Sequence, residues 1–170
     1  MKYKAGIVFT FLLFFARALM AQQATDHFTI EGEIAKSIEI GPAQLKNYPV
    51  VSLDSMTVYS HDMKVRSVMK NIKGVLLKDI LSSVDMMAKN PKELSAYYIA
   101  CIGSDGYKVL FSWNEIFNSE PGNHILIVTE KNGSEEMKQN DRTALITATD
   151  RATGRRYVKW LSRIVIQSVK

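Results

Sequence analysis

The chain holds one cysteine, Cys101, and three histidines, His27, His61 and His124, so its means for nucleophilic or metal chemistry are few. Cys101 lies between Ala100 and Ile102 inside an apolar run. A reactive thiol needs a cation or a helix N-terminus beside it to lower its pKa, and the local sequence offers neither. A buried free cysteine packing as a small hydrophobe is the plainer reading. The histidines are scattered over expected loops without HxH, HExxH or Cys/His spacing, which leaves zinc no ligand set. No GxSxG or SxxK marks a serine nucleophile. Gly103 and Gly106 bracket a strand–strand turn rather than opening a helix, so they form no phosphate loop. Glu135, Glu136 and Asp141 fall in polar loop sequence and read as solvated charge. No catalytic residue and no metal ligand is assigned.

The one concentration of recognition chemistry is basic. Arg151, Arg155, Arg156 and Lys159 fall within nine residues, and Arg142 precedes the strand leading into them. The planar fork of arginine suits phosphate. A hairpin would put Arg142 at the end opposite the loop, so these residues need not form one site. The alternative is an exposed, soluble hairpin tip.

The elements that must position these groups are mostly strands. Phe28–Ile34 alternates apolar and polar residues, with Gly32 on the apolar phase as a bulge or close backbone approach. Ile38 and Ile40 continue the alternation, and Pro42 opens a short helix over Ala43–Asn47. Val50–Leu53 and Met56–Tyr59 read as two strands broken at Asp54-Ser55. His61-Asp62 is a turn and Val65–Met69 a further strand. After Gly74, the stripe Leu77, Ile80, Leu81 and Val84 predicts a helix with one buried face. Tyr98–Ile102 is continuously apolar, as in a strand covered on both faces. Gly103-Ser104-Asp105-Gly106 is a turn, and Tyr107, Val109 and Phe111 share a face of the return strand. Ser112 and Glu115 fit a capping box opening a helix over Trp113–Phe117. Ile125–Glu130, Thr143–Thr149 and Ile164–Val169 complete the strands. Asn132-Gly133 is a hairpin signal, and Glu135–Arg142 and Asp150–Arg156 are loops. The pattern predicts one α+β domain, β-rich with short helices.

The N-terminus reads as an export signal. Lys2 and Lys4 precede the apolar run Ile7–Phe15, and small residues follow at Ala18–Ala21. That run is far short of the ~20 residues a membrane span needs. Cleavage before Gln22 leaves a domain over residues 22–170 in the periplasm or outside the cell. It removes three basic residues and no acidic one, so the net charge falls from +5 to +2. Such a mixed balance gives no nucleic-acid footprint, and no membrane span remains. A lone cysteine in an oxidising compartment excludes an internal disulfide.

Taken in order, these segments resemble the molybdopterin-binding domain of the sulfite oxidase group. Phe28–Ile34, Ile38–Ile40 and the helix before Pro49 are similar to its opening. Gly74-Val75-Leu76-Leu77-Lys78-Asp79-Ile80-Leu81 resembles its "G-V-x-L-x-D-L-L" helix entry, and Asp105-Gly106-Tyr107-Lys108-Val109 its "D-G-Y-x-V" strand. Ile125–Gly133 is similar to its hairpin, and Val158-Lys159-Trp160-Leu161 with Ile164-Val165-Ile166 to its closing strand. The resemblance spans about residues 28–168. It implies that fold, and a molybdenum–pterin cofactor in catalytic members. In those members a cysteine thiolate upstream of the helix entry ligates the metal. Here the matching segment, Thr57–Asp62, has no cysteine, and Ser60 is nearest to that position.

The resemblance and the missing thiolate together give an exported domain that has lost redox catalysis and binds a small ligand or an envelope protein. No cofactor is required by this reading. The alternative is a molybdopterin-binding oxidoreductase subunit with Ser60 and His61 at the metal and Arg142, Arg155, Arg156 and Lys159 holding phosphate. A third possibility is an interaction domain of an envelope assembly with no small ligand.

Overall fold

The computed structural model describes residues 26–132, 134–135 and 143–169; the segment expected to be an export signal and Arg142 lie outside them. The alternation at the start forms strand β1 (Phe28–Gly32), with Phe28 and Ile30 turned inward. Gly32 adopts φ +111°, and a Cβ there would lie 2.1 Å from the Ile166 carbonyl oxygen. Glycine is required because the backbone passes directly against its neighbour. Strand β2 (Ile38–Ile40) pairs back on β1 and leads into helix α1 (Pro42–Leu45), which has proline in its first turn and buries Leu45.

The expected break at Asp54-Ser55 is absent. Strand β3 runs unbroken over Val50–Tyr59 and pairs with β4 (Val65–Leu76) along its length. What changes there is the phase of the inward residues. Val51 and Leu53 are half-buried, whereas Met56 and Val58 are buried. On β4 the buried Met69 and Ile72 are likewise three apart, across Asn71 at φ +49°. A local twist therefore turns each strand without breaking the ladder.

Helix α2 (Leu77–Leu81) follows directly, and Leu77, Ile80, Leu81 and Val84 are all buried, as their spacing predicts. The helix is shorter than its stripe. Ser82 and Ser83 turn their hydroxyls onto the carbonyls of Lys78 and Ile80, both at 2.7 Å, and Val84 lies in the tightened exit. The remaining elements are β5 (Tyr97–Gly103), β6 (Lys108–Ser112), α3 (Trp113–Phe117), β7 (Ile125–Lys131), β8 (Ser134–Glu135), β9 (Ala144–Thr147) and β10 (Leu161–Ser168). A 3-10 turn, Thr153–Arg156, lies between the last two strands.

Two sheets result. The first has the order β2-β1-β10-β5-β6, antiparallel except for the parallel pair β1–β10. The second runs β3-β4-β7, with β8 and β9 sharing the far edge of β7. Ile30, Ile99, Cys101 and Ile164 of the first sheet join Val75, Ile125, Ile127 and Leu145 of the second in the main core. The other face of the second sheet is also covered. There Leu126 and Val128 pack with Met56, Val58, Met69 and Ile146 in a second cluster. β7 is thus buried on both faces, which accounts for its continuous apolar sequence. The molecule is a β-rich α+β domain with short helices.

The second sheet curls far enough to bring its edges together. The Thr153 hydroxyl, beyond β9, donates to the Thr57 carbonyl at 2.7 Å and accepts the Tyr59 amide at 2.9 Å. A Cβ on Gly154 would lie 2.5 Å from the Tyr59 oxygen, so the turn sits hard against the end of β3.

Candidate functional site

The turn between β3 and β4 is closed by its own backbone. The Ser60 amide donates to the Lys64 carbonyl and the Met63 amide to the Ser60 carbonyl, each at 3.0 Å, with Met63 at φ 61°. The Ser60 hydroxyl donates to the Asp62 carboxylate, and Lys64 pairs with the same carboxylate at 2.9 Å. The Ser60 hydrogen bond first, and Lys64 second, hold the Asp62 carboxyl down at about 2. His61 is exposed at the tip.

The opposite wall is the Thr153–Arg156 turn, which is tied on three sides. Thr153 bonds it to β3. The Tyr107 hydroxyl donates to the Arg155 carbonyl at 2.5 Å. Arg156 reaches away to Asp150, through its Nε at 2.7 Å and an NH2 nitrogen at 2.5 Å, and to Glu115 at 2.5 Å. Its guanidinium also lies 4.6 Å from the centre of the Phe111 ring. Hydrogen bonding to Asp150 raises the Arg156 pKa, against the opposing effect of burial. The next residues add a further tie. Trp160 takes φ +49°, and its carbonyl accepts the Ser104 amide at 2.8 Å, fixing this segment to the β5–β6 turn.

Between these walls lies a cleft of about 510 Å³. Ser60 and His61 line it from the β3–β4 turn, and Arg155 and Lys159 from the far wall. The structure therefore brings together four of the residues singled out from the sequence. Arg156 is not among the lining residues, because its fork is engaged by Asp150 and Glu115. Adjacent in sequence, Arg155 and Arg156 face different surroundings: one a cleft, the other an ion-pair cluster.

The sequence reading left out several lining groups. Arg66 and Ser67 come from β4, Asp105 and Tyr107 from the β5–β6 hairpin, and Tyr59 and Tyr157 from the two walls. The Asp105-Gly106-Tyr107 landmark was a usable signal. Arg66 had none, since it is one residue of the expected strand Val65–Met69 and reaches the cleft only because the second sheet curls. Lys159 Nζ lies 5.5 Å from the centre of the Tyr157 ring. Arg66, Arg155 and Asp105 form no ion pair among the described residues. The cleft is thus basic and ringed by tyrosines, with one carboxylate.

Cys101 is elsewhere. It sits on β5 in the main core, fully buried, and burial pushes its thiol far up, away from the thiolate. Among the described residues no group of three His, Cys, Asp or Glu side chains could hold a metal ion, and no helix is long and apolar enough to cross a membrane.

No protein-family profile matches the chain, and no curated protein matches it in sequence. Among solved structures it is similar to the sulfane dehydrogenase SoxCD from Paracoccus pantotrophus, with a TM-score of 0.63 at 14% sequence identity. The likeness covers 88% of this chain and 41% of that one. The two share a fold over that region, and the chain spans about two-fifths of its neighbour's length.

Proposed function

We propose that this chain is an exported domain with the sulfite oxidase-type molybdopterin-binding fold, and that its cleft holds a small anionic ligand without redox catalysis. The observation that carries the reading is the convergence of Arg66, Arg155, Lys159 and His61 on one tyrosine-lined cleft that contains no thiolate. A planar anion would find cations for its charge and aromatic faces for its ring. The fit to a molybdenum–pterin group is split. The basic residues suit its phosphate, and the tyrosines suit its ring. A metal bound there would lack a protein sulfur: Cys101 is packed in the core as a neutral thiol, and the Ser60 hydroxyl is engaged by Asp62.

The second reading is an oxidoreductase subunit that does load the cofactor. It is favoured by the likeness in fold to a sulfane dehydrogenase. In that case Arg66, Arg155 and Lys159 would hold the phosphate, and the bound group would supply the redox chemistry. The deciding experiment is metal and pterin analysis of protein purified from a host that makes the cofactor. The proposal expects molybdenum well below one per chain. Stoichiometric molybdenum, with pterin fluorescence after oxidation, would replace it with the second reading. Mass measurement of protein recovered from the periplasm or medium tests export, with a mature chain beginning at Gln22 as the expected result.

A further inference from the structure

We infer that the outer edge of β6 is a pairing surface for a second copy of this chain, joined antiparallel about Leu110 so that the first sheet continues from one molecule into the other. β6 is the last strand of that sheet and pairs only with β5. The direction of its free groups follows from the turn before it. The Gly103 amide donates to the Tyr107 carbonyl at 2.9 Å. Tyr107, Val109 and Phe111 therefore turn their backbone groups toward β5, and by alternation Lys108, Leu110 and Ser112 turn theirs outward. Among the described residues nothing bonds the outward amides and carbonyls of Lys108 and Leu110. Such a row is a template for another strand.

Other strand edges are blunted. β2 is three residues long and gives way at once to Gly41-Pro42. The end of β3 has its Thr57 carbonyl and Tyr59 amide taken by the Thr153 hydroxyl. β9 is bridged by Val158 at Leu145. β6 has neither proline nor bulge, and it presents Leu110, 61% exposed, at its centre. On the outer face Leu110 extends a row through Ala100 of β5 and Val165 of β10.

Charge selects a second copy as the occupant. Lys108 is the only charged residue of β6, and a lysine deters a partner strand that sets another cation against it. Two-fold pairing about Leu110 avoids this. It sets Leu110 against Leu110 of the second copy, and each Lys108 against the uncharged Ser112 of the other, so no like charges stand opposite. The Leu110 amide and carbonyl then exchange hydrogen bonds with those of the second copy, while Val109 and Phe111 stay in their own core. Five residues of strand are a small interface beside the roughly 1,200 Å² that stable complexes bury. The association is therefore reversible and depends on protein concentration.

The test is sedimentation velocity of the purified protein over a series of concentrations. Wild type is expected to move from monomer to dimer as concentration rises. Leu110→Lys puts two like charges opposite each other at the two-fold centre and should weaken the dimer by about tenfold or more. Its unfolding midpoint should stay close to that of wild type, because the position is an exposed one on an edge. Ser112→Asp keeps a capping residue at the start of α3 and sets a carboxylate opposite Lys108 at both ends, so it should tighten the dimer by about threefold or more. A monomer at every concentration overturns the inference and leaves the edge to a strand of another protein. A dimer whose affinity Leu110→Lys leaves unchanged also overturns it, since the contact then lies elsewhere. A Ser112→Asp dimer no tighter than wild type overturns the antiparallel register.

Discussion

Replacing Arg156 with alanine tests whether the wall opposite the β3–β4 turn is clamped or merely decorated. The Arg156 side chain is 22% exposed, and its carboxylate partners Asp150 and Glu115 are 16% and 28% exposed. Exposed ion pairs are worth about 0–1 kcal/mol, whereas removing one partner of a buried pair costs about 3–5 kcal/mol. This cluster lies between the two, with three charge-assisted contacts and a ring contact at 4.6 Å. The ring contact adds about 0.5–1 kcal/mol. Alanine leaves two partly buried carboxylates unpaired, so a loss of about 3 kcal/mol is expected, or about 10 °C in unfolding midpoint for a domain of this size. Urea unfolding at neutral pH, followed by tryptophan fluorescence, measures it. Arg156→Lys should recover less than half, because an ammonium cannot reach both carboxylates with a fork. The clamp reasoning is wrong if Arg156→Ala unfolds within about 0.5 kcal/mol of wild type, the range of an ordinary surface change.

Three further outcomes are expected. Thr153→Val keeps the shape but removes the hydroxyl that bridges Thr57 and Tyr59. It should cost about 1–3 kcal/mol, and amide exchange should speed up at Tyr59 more than at Ile99. Cys101→Ala should cost about 1–2 kcal/mol through a small core void, while the amide NMR shifts of the cleft residues Ser60 and Arg155 are unchanged. In wild type a thiol-reactive dye should label Cys101 only on unfolding. The Asp62 carboxyl should titrate near 2 by NMR rather than near 3.8. Because the folded pKa is the lower one, its contribution is complete above about 4 and is lost as pH falls toward 2. Ser60→Ala should move that midpoint upward, and a midpoint that stays put would mean the hydroxyl is not its main cause.

Local chemistry made much of this fold readable and little of the site. Tyr98–Ile102 announces a two-sided strand because no charged residue, glycine or proline interrupts the run. Ser112 announces a helix start, and its hydroxyl does accept the Glu115 amide at 3.0 Å. The other half of the expected box does not form, because the Glu115 carboxylate goes to Arg156, 41 residues away. No window of sequence contains that competition. The same holds at Asp54-Ser55, where a change of inward phase looks like a break, since period-2 reasoning cannot separate a twist from a turn. Ser60, His61, Arg155 and Lys159 were found by landmark order and by composition. Arg66 was not, because its place in the cleft depends on an edge-to-edge closure through Thr153. The neighbouring Arg155 and Arg156 show the limit most sharply, since only a 3-10 turn decides which of them faces the cleft.

The parallel pairing of β1 with β10 has a consequence in time. β10 lies in the middle of the first sheet, between β1 and β5, and its Ile164 and Ile166 are fully buried. The first and last strands of the domain are therefore mutual neighbours, and β5 has no partner on its inner side until residues 161–168 exist. A chain still being synthesised can form the β3–β4 hairpin and the β5–β6 hairpin, but it cannot close the core that both sheets share. Pairing across so long a stretch of sequence also makes closure slow. The core that the two sheets share is therefore completed only when β10 takes its place between β1 and β5.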